Sequence, residues 1–130
     1  MKIFTSYFNR VKTINDDRFV YVAITRGKVP NWFPHNHTYL NNVAPSFHLV
    51  SMWKNGLCTW EQYCQWYDIE IDLDRNKDII LYKLKQISED NGDRIPVLLC
   101  HCSDYEHCHR KLVGEAIGAK ELTNADIYNY

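Results

Sequence analysis

The segment from residue 97 to residue 118 concentrates the side chains of this sequence that could do chemistry. It reads VLLCHCSDYEHCHRKLVGEAIG and contains three cysteines, three histidines and one arginine. Thiolates are nucleophiles, imidazoles exchange protons near neutral pH, and guanidinium groups bind anions through paired hydrogen bonds. The segment is therefore the first candidate for a functional site.

Cys108, His109 and Arg110 are predicted to lie at the start of the last long helix. The apolar residues after them recur at helical spacing and end at a glycine: Leu112, Val113, Ala116, Ile117 and Gly118. Free amides and the positive end of the helix dipole at such a start stabilise an anion or a thiolate. We therefore predict an anion site in which Arg110 faces the rim of a crevice. His109 is the candidate general acid–base group, and Cys108 is the candidate nucleophile.

Other uses of these residues have their own spacing requirements. A cysteine phosphatase has a cysteine, five intervening residues and then an arginine. A redox motif has two cysteines separated by two residues. Neither pattern occurs in this sequence. Cys100, Cys102 and Cys108 with a neighbouring histidine could instead form a small zinc-binding domain. A solvated polar loop without a site is the remaining alternative. The leading interpretation requires no cofactor and no metal.

The whole chain narrows the class of protein. Its 130 residues are 45% hydrophobic, which suits a single globular domain over residues 1–130. Fifteen Lys and Arg nearly balance sixteen Asp and Glu, so we expect no extended nucleic-acid surface. No segment approaches the roughly 18 to 20 apolar residues of a membrane-spanning helix, and the cysteines show no disulfide framework. These features predict a cytoplasmic protein without membrane contact.

Alternating strand and helix patterns predict the elements that position the segment. Strands are predicted at 3–6, 18–25 and 94–101, with an edge strand at 120–122 and an ordered aromatic loop over 28–45. Helices are predicted over 46–54, after Thr59, and after a cap at Asn76 or Asp78. The last helix starts either at Asp104, given the capping-box spacing of Ser103 and Glu106, or nearer Cys108. The terminal ADIYNY is interpreted as a frayed tail or an aromatic hook over the sheet.

This order of elements predicts an α/β fold, a small three-layer domain with a mostly parallel sheet. Ligands of such sheets collect beyond the carboxyl ends of the strands. The loops after Ser6, Thr25 and Cys100 are therefore predicted to share one rim.

The leading functional interpretation is a protein that binds or processes a small phosphorylated, nucleotide-like ligand. The residues proposed to bind it, besides Arg110, are Arg26, Thr5, Ser6, Thr25, Trp32 and Tyr39. Arg26 and the hydroxyl groups would contact the phosphate, and the aromatic rings would stack on a base.

The alternative is a non-enzymatic protein-interaction or regulatory module. Its contact surface would consist of Trp32, Phe33, His35, His37 and Tyr39. Clustered aromatic rings of this kind are common in protein interfaces.

The segment LLCHCSDYEHCHRKLVGEAI resembles the signature of domain-of-unknown-function family 488, the YeaO-like group. The family has a strand ending in Leu-Leu-Cys, an acidic loop, and Cys-His-Arg opening the last helix; the matching residues are Leu98, Leu99, Cys100, Cys108, His109 and Arg110. FTSYF, VAITRGKVPNW and YLNNVAPSF resemble further family segments, so the likeness spans nearly the whole chain. It implies a Rossmann-like fold and, through that fold, a nucleotide-related ligand. The family usually has a glutamate where this chain has Cys102, so no carboxylate role carries over to that position.

Overall fold

The computed structural model describes residues 1–128. Its strands are β1 (Phe4–Tyr7), β2 (Phe19–Ala23), β3 (His37–Tyr39), β4 (Ile95–Cys100) and β5 (Lys120–Glu121). They form a sheet in the order β3-β2-β4-β1-β5, and every pairing is parallel. The predicted α/β fold with a mostly parallel sheet is confirmed.

The helices are α1 (Phe8–Val11), α2 (Phe47–Lys54), α3 (Trp60–Ile71), α4 (Leu73–Asp90), α5 (His109–Ile117) and α6 (Asn124–Tyr128). The predicted start of α3 is confirmed, since Thr59 and Gln62 form a capping box. At the start of α2, Ser46 Oγ accepts a hydrogen bond from the Leu49 amide at 3.1 Å. These side chains satisfy amides that a helix start leaves free, which is why polar spacing locates both helices.

The predicted start of α4 at Asn76 or Asp78 is wrong. The helix begins at Leu73, and the Asp72 side chain accepts a hydrogen bond from the Arg75 amide. Asp72 adopts a left-handed φ of 50° and both ends α3 and caps α4. Aspartate tolerates this conformation better than most residues, so Asp72 alone connects the two helices.

Three other segments differ from the expectations. The aromatic loop at 28–45 contains β3 and a short 3-10 turn at Asn41–Val43, and the polar stretch after β1 begins with α1. The last long helix starts nearer Cys108, which is its N-cap, after a 3-10 turn at Tyr105–His107. The terminal ADIYNY is helical to Tyr128, and residues 129–130 lie outside the described range.

Alternate residues of the strands pack on opposite faces of the sheet, as the two-residue period of a strand requires. One face is covered by α3, α4 and α5, and its buried strand residues include Val22, Leu98 and Cys100. The other face packs against a second cluster of buried residues that includes Phe4, Phe8, Phe33 and Leu99. Cys100 therefore lies beneath α5 as the last residue of β4, at the carboxyl edge of the sheet.

Within residues 1–128, none of the helices combines the length and apolar content that crossing a membrane requires.

Candidate functional site

A cavity of about 320 Å³ lies at the carboxyl ends of β2 and β4. Cys100, Cys108 and His109 form its buried end, and Thr25 and Arg26 follow β2 at its rim. Carboxyl ends of parallel strands meet at one edge of the sheet, so the loops after Thr25 and Cys100 come together as predicted. Ser6 does not line this cavity.

Cys100 and Cys108 bring their sulfur atoms together at the buried end. Cys100 ends β4 and Cys108 caps α5, and their Sγ atoms are 2.8 Å apart. The nearest cation is Arg110, whose Nη1 donates to Cys100 Sγ at 3.1 Å. Residues eight apart in sequence become a thiol pair only because β4 and α5 meet at this point.

The two thiols of the pair have opposite pKa shifts. The hydrogen bond from Cys108 lowers the pKa of Cys100 most, and the charge of Arg110 lowers it further, against the effect of burial. The same hydrogen bond is the main cause that raises the pKa of Cys108 to about 12. Of the two thiols, Cys100 therefore loses its proton more easily, and Cys108 is the donor of the hydrogen bond between them.

Arg110 is buried, with 1% of its surface exposed, so the prediction that it faces the rim is wrong. Its Nε donates to Glu121 Oε2 at 3.0 Å, and its Nη1 also donates to the backbone oxygen of Cys102. Thr5 Oγ1 donates to the same Glu121 oxygen at 2.9 Å. Because a buried guanidinium must be paired, β5 and β1 hold Arg110 beside Cys100 instead of leaving it for a ligand.

Aromatic rings enclose the guanidinium as well. The rings of Tyr7 and Tyr105 have their centroids 5.3 Å and 5.5 Å from Arg110 Cζ. Cation–π contacts of this kind fix the orientation of an arginine. Arg110 therefore has a fixed orientation, in which its Nη1 contacts the sulfur of Cys100.

His109 is buried and neutral at pH 7. Its Nε2 lies 2.6 Å from the Ile24 carbonyl oxygen, so Nε2 carries the proton and Nδ1 is the acceptor. Nδ1 is 3.9 Å from Cys108 Sγ. Burial lowers the pKa of His109 to about 4, so the ring is not protonated at neutral pH. Its Nδ1 can therefore accept a hydrogen bond but has no proton to donate.

The remaining predicted residues are divided between the cavity and other regions. Thr25 and Arg26 line the cavity. Ser6 follows Thr5 in β1, so its side chain points to the opposite face of the sheet. Within residues 1–128, Ser6 Oγ has no hydrogen-bond partner. Trp32 and Tyr39 are 53% and 43% exposed and do not line the cavity. The structure therefore brings only part of the predicted set together.

The sequence gives no sign of the cavity wall that α2 and α3 supply. This wall includes Phe47, Trp53, Lys54 and Tyr63. The ring of His107 stacks on that of Trp53, with centroids 5.8 Å apart and planes at 29°. Helical periodicity identifies a face that packs inward, but it does not indicate which turns of that face reach the edge of the sheet.

A zinc site built on Cys100, Cys102 and Cys108 does not fit the structure. Within residues 1–128, no group of three or more His, Cys, Asp and Glu side chains is placed to hold a metal ion. Two thiolates on a tetrahedral zinc are about 3.7 Å apart, since each Zn–S bond is about 2.3 Å. The sulfur atoms of Cys100 and Cys108 are at 2.8 Å, and a guanidinium occupies the position beside Cys100.

Neither a curated protein nor a solved structure matches this chain. A family model described as the active DUF488-N3 subclade matches residues 7–121. The matched range contains the cavity residues, the thiol pair, Arg110 and Glu121, and it covers most of the sequence. The resemblance read from the Cys-His-Arg segment is confirmed, and the chain belongs to the DUF488 family.

Proposed function

We propose that the cavity at the carboxyl ends of β2 and β4 binds a small phosphorylated, nucleotide-like ligand. One observation carries the proposal: the cavity lining combines two cationic side chains, Arg26 and Lys54, with aromatic walls. Among the described lining residues there is no aspartate or glutamate. A cationic, partly aromatic cavity favours an anionic ligand with a flat ring system.

Arg26 is the best-placed partner for a phosphate group. Its Nη2 donates to the Ala44 carbonyl at 2.8 Å and its Nε lies 3.4 Å from the Pro45 carbonyl. Neutral carbonyls orient the guanidinium without neutralising its charge, and the side chain is exposed at the rim. An oriented, uncompensated guanidinium is suited to a phosphate.

The wall around Trp53 and His107 offers a flat apolar surface to a base. The two rings are nearly parallel, and Asp104 accepts a hydrogen bond from His107 Nδ1 at 2.8 Å. Stacking on such rings tolerates any base, so the proposal specifies a nucleotide-like ligand and not one nucleobase. In this proposal Trp53 replaces the exposed Trp32 and Tyr39 as the stacking residue.

The buried end of the cavity provides groups that could process the ligand. Cys100 is proposed as the nucleophile and Cys108 as its proton donor, and the neutral His109 ring packs beside Cys108 with Nδ1 3.9 Å from Sγ. The prediction from sequence made Cys108 the nucleophile and His109 the general acid–base group; the proposal moves the nucleophile to Cys100 and the proton donor to Cys108. The support is the contact of Arg110 with Cys100, because a neighbouring cation favours the thiolate form.

Isothermal titration with nucleoside monophosphates, diphosphates and inorganic phosphate tests the binding proposal. We expect saturable binding that Arg26→Ala and Lys54→Ala each weaken about tenfold, which corresponds to about 1.4 kcal/mol. Lys83→Ala, on the exposed side of α4, is the matched control and should bind like the natural chain. Circular dichroism establishes that each variant is folded.

The absence of saturable binding to every phosphorylated compound would reject the proposal. Equal affinity of Arg26→Ala, Lys54→Ala and Lys83→Ala would reject the assigned cavity, even if binding occurs.

A second candidate function is a protein-interaction module, favoured by one observation. Phe33 is buried with edge-to-face contacts to Trp32, His35 and His37, and the exposed rings border β3 at the end of the sheet. Trp32→Ala distinguishes the two functions, since this residue does not line the cavity. It should leave nucleotide affinity unchanged if the first proposal is correct, and it should weaken capture of a protein partner if the second one is.

A further inference from the structure

Cys100 and Cys108 have the geometry of a dithiol that can be oxidised. Their sulfur atoms are 2.8 Å apart, and a disulfide bond of about 2.05 Å would require them to approach by only about 0.8 Å. Both side chains line the buried end of the cavity, where they are 1% and 4% exposed, so the cavity is the route by which a small oxidant would approach them. The sequence spacing rules out the usual motif of two intervening residues, so this pairing is a product of the fold.

The surroundings assign different roles to the two sulfur atoms. Arg110 Nη1 lies 3.1 Å from Cys100 Sγ, and Glu121 holds the guanidinium from its other side. Within residues 1–128, the Cys108 sulfur has no such cation; it contacts Cys100 Sγ, hydrogen bonds with the Cys102 thiol, and has His109 Nδ1 at 3.9 Å. Since the thiolate is the form that attacks a peroxide, Cys100 is the sulfur prepared to react first.

We propose that Cys100 and Cys108 form a reversible intramolecular disulfide in response to hydroperoxides, with Cys100 as the reacting thiolate and Cys108 as the resolving thiol. The inference does not depend on the ligand proposed above. The modification site is the Cys100–Cys108 pair of this chain, and the oxidant is hydrogen peroxide or an alkyl hydroperoxide.

The chemistry balances in two steps. The Cys100 thiolate attacks the outer oxygen of the hydroperoxide, the O–O bond breaks, and an alcohol (or water) leaves after taking up a proton, so that Cys100 becomes a sulfenic acid. The Cys108 sulfur then attacks the Cys100 sulfur, the S–S bond forms, the S–O bond breaks, and water leaves with the Cys108 proton. The two thiols lose two electrons and the peroxide gains them. A dithiol reductant restores both thiols by exchange.

Peptide mapping can identify the disulfide directly. Trypsin releases residues 95–110 as one peptide with three cysteines, and cleavage after Glu106 separates Cys108 from Cys100 and Cys102. In a full-length Cys102→Ser protein treated with hydrogen peroxide, only Cys100 can link the first fragment to Cys108. We expect the linked pair of fragments to appear with the peroxide dose and to disappear after treatment with dithiothreitol.

Sulfenic acid trapping tests the order of the two steps. In the double variant Cys102→Ser, Cys108→Ser, peroxide followed by dimedone should label Cys100, because neither neighbouring thiol remains to resolve the sulfenic acid. In Cys100→Ser, position 108 should stay unlabelled at the same dose. Cys58 and Cys64 are internal controls: both are half-buried, and burial raises the pKa of Cys64, so they should remain reduced.

The unsubstituted chain provides a test that does not depend on the folding of a variant. Fragmentation of its linked peptides between Cys100 and Cys102 shows which of them is bonded to Cys108. A bond from Cys102, irreversible oxidation of Cys100 without a link, or oxidation of Cys58 before the pair would each overturn the proposal.

Discussion

At the scale of single residues, the site is organised around one buried arginine. Arg110 connects Glu121 to Cys100, and its charge is shared between a carboxylate and a sulfur atom. A buried charge without partners would be costly, so each contact of Arg110 is also a condition for folding. The arginine of the Cys-His-Arg segment therefore contacts a buried thiol and helps to lower its pKa, and the anion-binding role falls to Arg26 in our proposal.

Replacement of Arg110 by Gln should raise the pKa of Cys100 and slow its alkylation. If the pKa rises by one unit, the rate of reaction with iodoacetamide should fall about tenfold at any pH below the Cys100 pKa, because the thiolate fraction there falls by that factor. The measurement is the pH profile of Cys100 alkylation by mass spectrometry in a Cys102→Ser background. Arg26→Gln, which changes a guanidinium of the same cavity, is the control and should leave the profile unchanged.

A profile that moves equally in Arg26→Gln and Arg110→Gln would show that the net charge of the cavity controls Cys100. In that case the specific contact at 3.1 Å would have no separate effect.

At the scale of elements, the helix starts differ in how well sequence spacing locates them. The Thr59–Gln62 spacing corresponds to a real capping box, whereas the same spacing at Ser103–Glu106 does not, and α5 has no side-chain cap. The reason lies in the loop before α5. Arg110 binds the carbonyl oxygens of Cys102 and Ser103, so tertiary contacts hold this loop in place of a local cap.

Thr59→Ala should destabilise the protein by about 1 kcal/mol, because it removes an acceptor for the Gln62 amide. Urea unfolding monitored by circular dichroism measures the loss. Ser103→Ala is the matched control with the same spacing in the sequence and no side-chain cap, and it should change stability by less than about 0.5 kcal/mol. A larger loss for Ser103→Ala than for Thr59→Ala would contradict this assignment.

At the scale of the whole molecule, the sheet and α5 together set the electrostatics of the site. His109 lies between them, with Nε2 on the carbonyl of Ile24, and burial is the largest cause of its low pKa. The folded pKa of about 4 is below the ordinary value of 6.5, so between these values the unfolded chain binds more protons than the folded one. Stability contributed at this position is complete above about pH 6.5 and falls as the pH drops toward 4.

The acid sensitivity of stability should therefore decrease in His109→Gln. The difference of 2.5 pKa units between 6.5 and about 4 corresponds to about 3 kcal/mol at most. Urea unfolding of both proteins at pH 7.5 and pH 4.5 measures the effect, and Gln can still donate to the Ile24 carbonyl. His48→Gln, on the exposed surface of α2, is the control. Parallel pH curves for the natural chain and His109→Gln would contradict the buried, neutral state of His109.

The sequence by itself determined the α/β class and most strand positions, and it identified residues 100–110 as the candidate site. Those features depend on local periodicity, capping and turn residues, which are short-range properties of the chain. It also predicted that the loops after Thr25 and Cys100 share a rim, because the geometry of parallel strands requires it.

Only the tertiary structure decided which side chains face the cavity. The pairing of Cys100 with Cys108, the burial of Arg110 against Glu121 and the wall around Trp53 all involve elements that approach each other in space. The three-residue strand β3 is likewise defined by its pairing with β2 and has too few residues for a periodic signal. Contacts between distant segments depend on how the helices pack on the sheet. The residue pattern of a single sequence predicts which helix face packs inward, but it does not fix the position of the helix precisely enough to predict which side chains meet.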